Sequence, residues 1–177
     1  MVHRWRLTRL SFAVVFAGAL AIAVAVGAAG SAASASPAAP CRLTLKLGPK
    51  QTGPGQYHAN LVFVNTGLSK CRLHGWPSVE LIGPNDPSFG TIYTLPRQSG
   101  TSTNITLSAG AAAHAVLTWL PPSEDRPWFP GYVRVVVPTA GGASLPMAVP
   151  WRFGPVLRQD AATRPGTFVG PLRPKAS

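Results

Sequence analysis

Leu43, Leu45 and Leu47 alternate with Arg42, Thr44 and Lys46, the period of two that a half-buried strand requires. The alternation returns at Ala113, Ala115, Leu117 and Trp119, set against His114 and Thr118, and again at Val133, Val135 and Val137 around Arg134. The segment 57–64 ends in an unbroken apolar run, Leu61-Val62-Phe63-Val64, and reads as a central strand covered on both faces. Shorter extended segments are expected at 71–76, 79–82, 91–95, 103–107 and 147–153. Between them, 48–55, Asn65-Thr66-Gly67, 83–87, Ser108-Ala109-Gly110, 121–130 and Gly141-Gly142 carry the residues of turns and loops. From Cys41 onward, no run of a dozen residues keeps helical apolar spacing free of Gly and Pro. The expected fold is all-β, an Ig-like antiparallel β-sandwich of about seven to eight short strands. A small barrel is the alternative.

The N-terminal stretch has a different pattern. Arg4, Arg6 and Arg9 precede an apolar run from 10 to 29, and Ala33-Ser34-Ala35 supplies the small-x-small site of a signal peptidase. Residues 1–35 are therefore read as a signal peptide with a hydrophobic helix, cut after Ala35. An apolar run of this length also suits an uncleaved single-pass anchor with the domain outside. Lipidation at Cys41 is disfavoured, because Pro40 rather than a small residue precedes it. The organisation expected is a linker at 36–40, a β-sandwich domain at 41–153 and a Pro/Arg-rich tail at 154–177, mostly irregular and open to disorder. The protein is expected to be secreted or held in the cell envelope.

Composition refines this picture. Sixteen Lys and Arg against five acids give a net charge of +11. Removal of Arg4, Arg6 and Arg9 with the signal leaves +8. That balance favours anionic cell-wall or membrane-surface partners. The basic residues stand singly along the chain, however, which is how charge serving solubility is distributed. Nucleic acid is not expected as a partner, since nothing resembles a recognition helix or an aromatic RNA-binding strand. A monomer is expected. Cys41 and Cys71 are an even pair in an exported chain and read as a disulfide. A metal pair would lack nearby His or carboxylate ligands.

Several motifs carry a resemblance. They are Cys41 with its Leu-x-Leu strand, Leu61-Val62-Phe63-Val64-Asn65-Thr66-Gly67, and Cys71-Arg72-Leu73-His74-Gly75-Trp76-Pro77. The stretch from Ile105 to Gly110, followed by Ala113 to Trp119, adds to them. Over about 41–137 this order resembles an exported actinobacterial family called domain of unknown function 4232. Ala109 stands where that family usually has Pro, Trp76 where Tyr is common, and the second Cys pair of many members is missing. The resemblance implies a secreted β-sandwich with the first bridge kept, often beside a signal or lipid anchor, and it implies no activity.

Candidate chemistry is sparse. A serine hydrolase would need a Ser, His and acid arrangement, but there is no Gly-x-Ser-x-Gly, and His58, His74 and His114 fall on separate strands. A glycosidase needs two facing carboxylates, and only Glu80, Asp86, Glu124, Asp125 and Asp160 exist. No metal or cofactor site is expected: Met147 with one or two His has no motif spacing. Trp76, Trp128 and Phe129, at or beside Pro-rich loops, are candidates for a binding edge, with core plugs as the competing reading. Trp119 and Trp151 are assigned to the core. No catalytic residue is assigned and no enzyme is expected. The function expected is a non-enzymatic ligand- or surface-binding module, with a structural cell-surface protein retained by charge as the alternative.

Overall fold

The computed structural model describes residues 40–122 and 127–175. The expected signal segment with Ala33 and Ala35, the expected linker before Pro40, and Glu124, Asp125 and Arg126 lie outside the described residues. Among those described no helix forms. The strands in chain order are β1 (Leu43–Leu47), β2 (Gln51–Gly53), β3 (Gln56–Asn65), β4 (Cys71–Leu73), β5 (Ser78–Asp86), β6 (Gly90–Thr94), β7 (Ile105–Leu107), β8 (Ala112–Trp119), β9 (Tyr132–Val136), β10 (Pro138–Thr139), β11 (Gly142–Ala143), β12 (Met147–Pro150), β13 (Phe168–Val169) and β14 (Arg173–Pro174).

They form three open antiparallel sheets. The first runs β1-β3-β8-β13, with β2 added on β3 and β14 on β8; the second runs β11-β10-β4-β7, and the third β12-β9-β5-β6. The β3–β8 ladder is the longest, from Tyr57 opposite Trp119 to Val64 opposite Ala112. Its register puts Leu61 and Phe63 on the same face as Ala113, Ala115, Leu117 and Trp119, all buried. Val79 and Leu81 of β5, with Val133 and Val135 of β9, join them in one apolar core. Burial of apolar area, about 25 cal/mol per Å2, is what holds these short strands together.

Two expectations are corrected here. The segment 83–87 does not begin a loop: β5 continues through Gly83 and Pro84 to Asp86, with a register shift against β6 between Ile82 and Asp86. Gly83 is needed there, since a Cβ would stand 2.7 Å from the Trp128 ring. The residues from Gly154 onward are short of regular structure but are docked, not loose. Val156, Val169 and Leu172 are fully buried. β13 and β14 pair with β8 opposite Leu117–Thr118 and Ala113–His114. Leu172 N donates to Gly75 O at 2.9 Å and Gly170 N to Val116 O at 2.8 Å. Among the described residues all strand pairing, the core and the disulfide thus fall between residues 41 and 174.

Candidate functional site

Cys41 and Cys71 form a disulfide, with Cα atoms 5.3 Å apart. Cys41 precedes β1 and Cys71 opens β4, so the bridge joins the first sheet to the second. Each cysteine is followed by an arginine. The bridge therefore draws Arg42 and Arg72 together, and Lys70 comes with Cys71. All three cations line a hollow of about 680 Å3 beside the bridge. Residues of the β10–β11 turn, Thr139 to Gly141 and Ala143, with Ser144, Leu145 and Met147 after them, form the opposite wall. Among the described residues no carboxylate lines it.

Hydrogen bonds hold this rim in shape. Asn65, buried at the end of β3, donates from Nδ2 to the carbonyls of Ser69 (2.9 Å), Leu107 (3.1 Å) and Ser108 (3.2 Å). Its Oδ1 accepts from Gly67 N at 3.1 Å. Thr66 N donates to Arg42 O at 2.8 Å, tying the same turn to β1. Residues 66–70 are thereby held against the bridge with Leu68 projecting. Across the hollow, Ser144 Oγ accepts from Val137 N at 3.0 Å and donates to Leu145 O at 3.0 Å. Ala140 N reaches Arg72 O at 3.0 Å.

The aromatic candidates do not form one exposed edge. Trp128 is only 7 % exposed, and its indole N–H donates to Pro84 O at 3.0 Å. It closes over the core, as the plug reading expects. Phe129 keeps 56 % of its surface exposed, and Trp76 is half-buried with its indole nitrogen out of solvent. Trp119 and Trp151 are core residues, packed edge-to-face at 5.1 Å between centroids.

Trp128 also helps to enclose a guanidinium. Arg158 lies 4.6 Å from the Trp128 ring centroid, 5.4 Å from Phe89 and 5.5 Å from Tyr93. Its side chain is only 4 % exposed. It donates to the carbonyls of Gly90 (2.7 Å), Phe89 (3.0 Å) and Ile92 (2.8 Å) and to both oxygens of Asp160. This clamp fastens the segment after Gly154 to the β5–β6 hairpin. Burial pushes the Tyr93 phenol above its ordinary 10.0.

The described carboxylates are all engaged. Glu80 accepts from Arg134 Nε at 2.6 Å, Asp86 caps the Ser88 and Phe89 amides, and Asp160 holds Arg158. Among the described residues no three His, Cys, Asp or Glu side chains gather as a metal group. His58 Nδ1 meets Thr118 Oγ1 at 2.9 Å across β3 and β8.

His114 is held below its ordinary 6.5, first by burial and then by the charges of Lys175 and Arg173. The folded state therefore favours the neutral ring, and unfolding takes up a proton in weak acid. The stability linked to this site is complete above the unfolded value and is lost as pH falls through the lower folded one. Urea midpoints are expected to drop between about pH 7 and pH 5, with a shallower drop in His114→Gln. Equal slopes in both proteins would remove His114 as the cause.

The family model described as Domain of unknown function (DUF4232) matches residues 38–169. That span runs from before the bridge through β13 and contains every cation of the hollow. No curated protein matches the chain.

Proposed function

The chain belongs to the DUF4232 family, and from that premise we propose that it is an exported, non-enzymatic module that binds anionic material of the cell envelope. The observation that carries this reading is the hollow beside the bridge, where Arg42, Lys70 and Arg72 converge with no carboxylate among the described lining residues. A disulfide suits an oxidising compartment outside the cytoplasm. The engagement of Glu80, Asp86 and Asp160 in structural contacts supports a binding role over acid–base chemistry.

The architecture we infer is an Ig-like sandwich. β4 leads within a few residues into β5, and β9 into β10, so the second and third sheets act as one bent layer. The first sheet lies across the shared core from it.

Export and the bridge are tested together. The full chain, expressed in a bacterium that exports it, is expected outside the cytoplasm with Ser36 as its first residue. Reduction is expected to add the mass of two hydrogens. The Cys41→Ser/Cys71→Ser protein is expected to lose about 3–4 kcal/mol of stability, from the 30-residue separation of the bridged positions. Cytoplasmic protein with two free thiols would overturn the reading. So would catalytic turnover abolished by a single substitution, as far as the non-enzymatic part is concerned.

A further inference from the structure

Leu68 at 99 % and Leu145 at 84 % exposure are the most exposed large apolar side chains among the described residues. Both stand at the cationic hollow. Leu145 lines it with Arg42, Lys70 and Arg72. Leu68 lines an adjoining hollow that shares Pro40, Cys41, Arg42 and Lys70. Leu68 sits on a bend held by the hydrogen bonds of Asn65, and Leu145 on the stretch after β11 held by Ser144.

Cations grouped with projecting leucines are what an anionic bilayer surface recognises. Headgroup phosphates meet the cations, and the leucines enter the boundary of the acyl chains. A single-stranded nucleic acid would call for aromatic rings to stack on, and a sugar polymer would draw on aromatic faces and free amides. Among the described residues no aromatic side chain lines either hollow. The one carboxamide there, Asn65, uses both of its ends inside the protein.

We propose that this face docks on an anionic lipid bilayer, with Leu68 and Leu145 inserted and Arg42, Lys70 and Arg72 on lipid phosphates. The inference rests on the envelope reading and gives it a partner.

Vesicle sedimentation tests the proposal. Residues 36–177 form one compact unit and hold the whole core and the bridge. In the oxidised form they are expected to sediment with equimolar phosphatidylglycerol and phosphatidylcholine, and not with phosphatidylcholine alone. The triple variant R42Q/K70Q/R72Q is expected to partition on the order of a hundredfold more weakly, roughly fivefold per cation. L68D/L145D is also expected to lose binding. Both variants replace exposed side chains, so their melting temperatures should match the parent and separate lost binding from lost folding. Equal binding to both vesicles, binding that survives both variants, or no binding to either vesicle overturns the proposal. In that last case, retention of the same protein on isolated cell walls at about 0.15 M salt would leave the envelope reading in place and remove only the lipid one.

Discussion

The Asn65→Ala protein is expected to be on the order of 3 kcal/mol less stable than the parent, with a melting temperature roughly 10 °C lower. The reason is the number of groups that depend on one side chain. The carbonyls of Ser69 and Leu107 and the amide of Gly67 lose this partner, and the Ser108 carbonyl keeps only the Ala111 amide. The site at Leu107 is buried, so water cannot replace the bond there without opening the strand end. Each net hydrogen bond contributes about 1 kcal/mol, and a polar group stranded out of water costs about 1–3 kcal/mol. Asn65→Asp keeps the shape but turns a donor into an acceptor facing three carbonyls. It is expected to be at least as damaging at neutral pH and to recover partly in acid, where the carboxyl can donate. Thermal melts of the three proteins decide the matter. A loss below about 1 kcal/mol in Asn65→Ala would show that the surrounding turns hold without the amide.

Arg158→Ala is expected to have a comparable effect through a different part of the molecule. The guanidinium donates to three main-chain carbonyls of the β6 region and to Asp160 while packed among Phe89, Tyr93 and Trp128. Removing it takes the protein donor from those acceptors and leaves a gap under the Trp128 ring. A loss on the order of 3 kcal/mol follows from the same unit costs. Arg158→Lys should recover little of it. An ammonium is a point donor that cannot span these carbonyls and the carboxylate at once. Hydrogen exchange locates the effect: protection at Phe89–Ile92 is expected to fall before protection in the β3–β8 ladder. Uniform loss across all sheets would mean that Arg158 is not a local clamp.

The strands that sequence alone makes plain are those with one wet and one buried face. β1, β8 and β9 alternate, and their inward residues are the more buried ones, with Thr118 of β8 the exception, a polar-side residue that is buried as well. The stretches misread lack that signal. β13 and β14 are two residues each, too short to alternate, and Pro165, Pro171 and Pro174 mask them as loop. The continuation of β5 through Gly83-Pro84 hides behind two turn-forming residues. It exists because Gly83 leaves room for Trp128, a contact between residues 45 positions apart.

The candidate site was half visible. The bridge could be read from an even pair of cysteines, but the basic residues look scattered when counted along the chain. Folding the bridge onto the sequence would have revealed the cluster, because Cys41-Arg42 and Lys70-Cys71-Arg72 bring their cations with them. Trp128 could not be placed the same way. Whether a loop tryptophan faces water depends on its distant acceptor, Pro84 O.

The pairing of β13 and β14 with β8 also sets an order of assembly. Val169 and Leu172 fill the core, so the domain cannot complete its packing until those residues have been synthesised. Until then β8 carries a strand edge without its neighbour, a template for pairing with other chains. The late-made residues thus act as a latch that closes last.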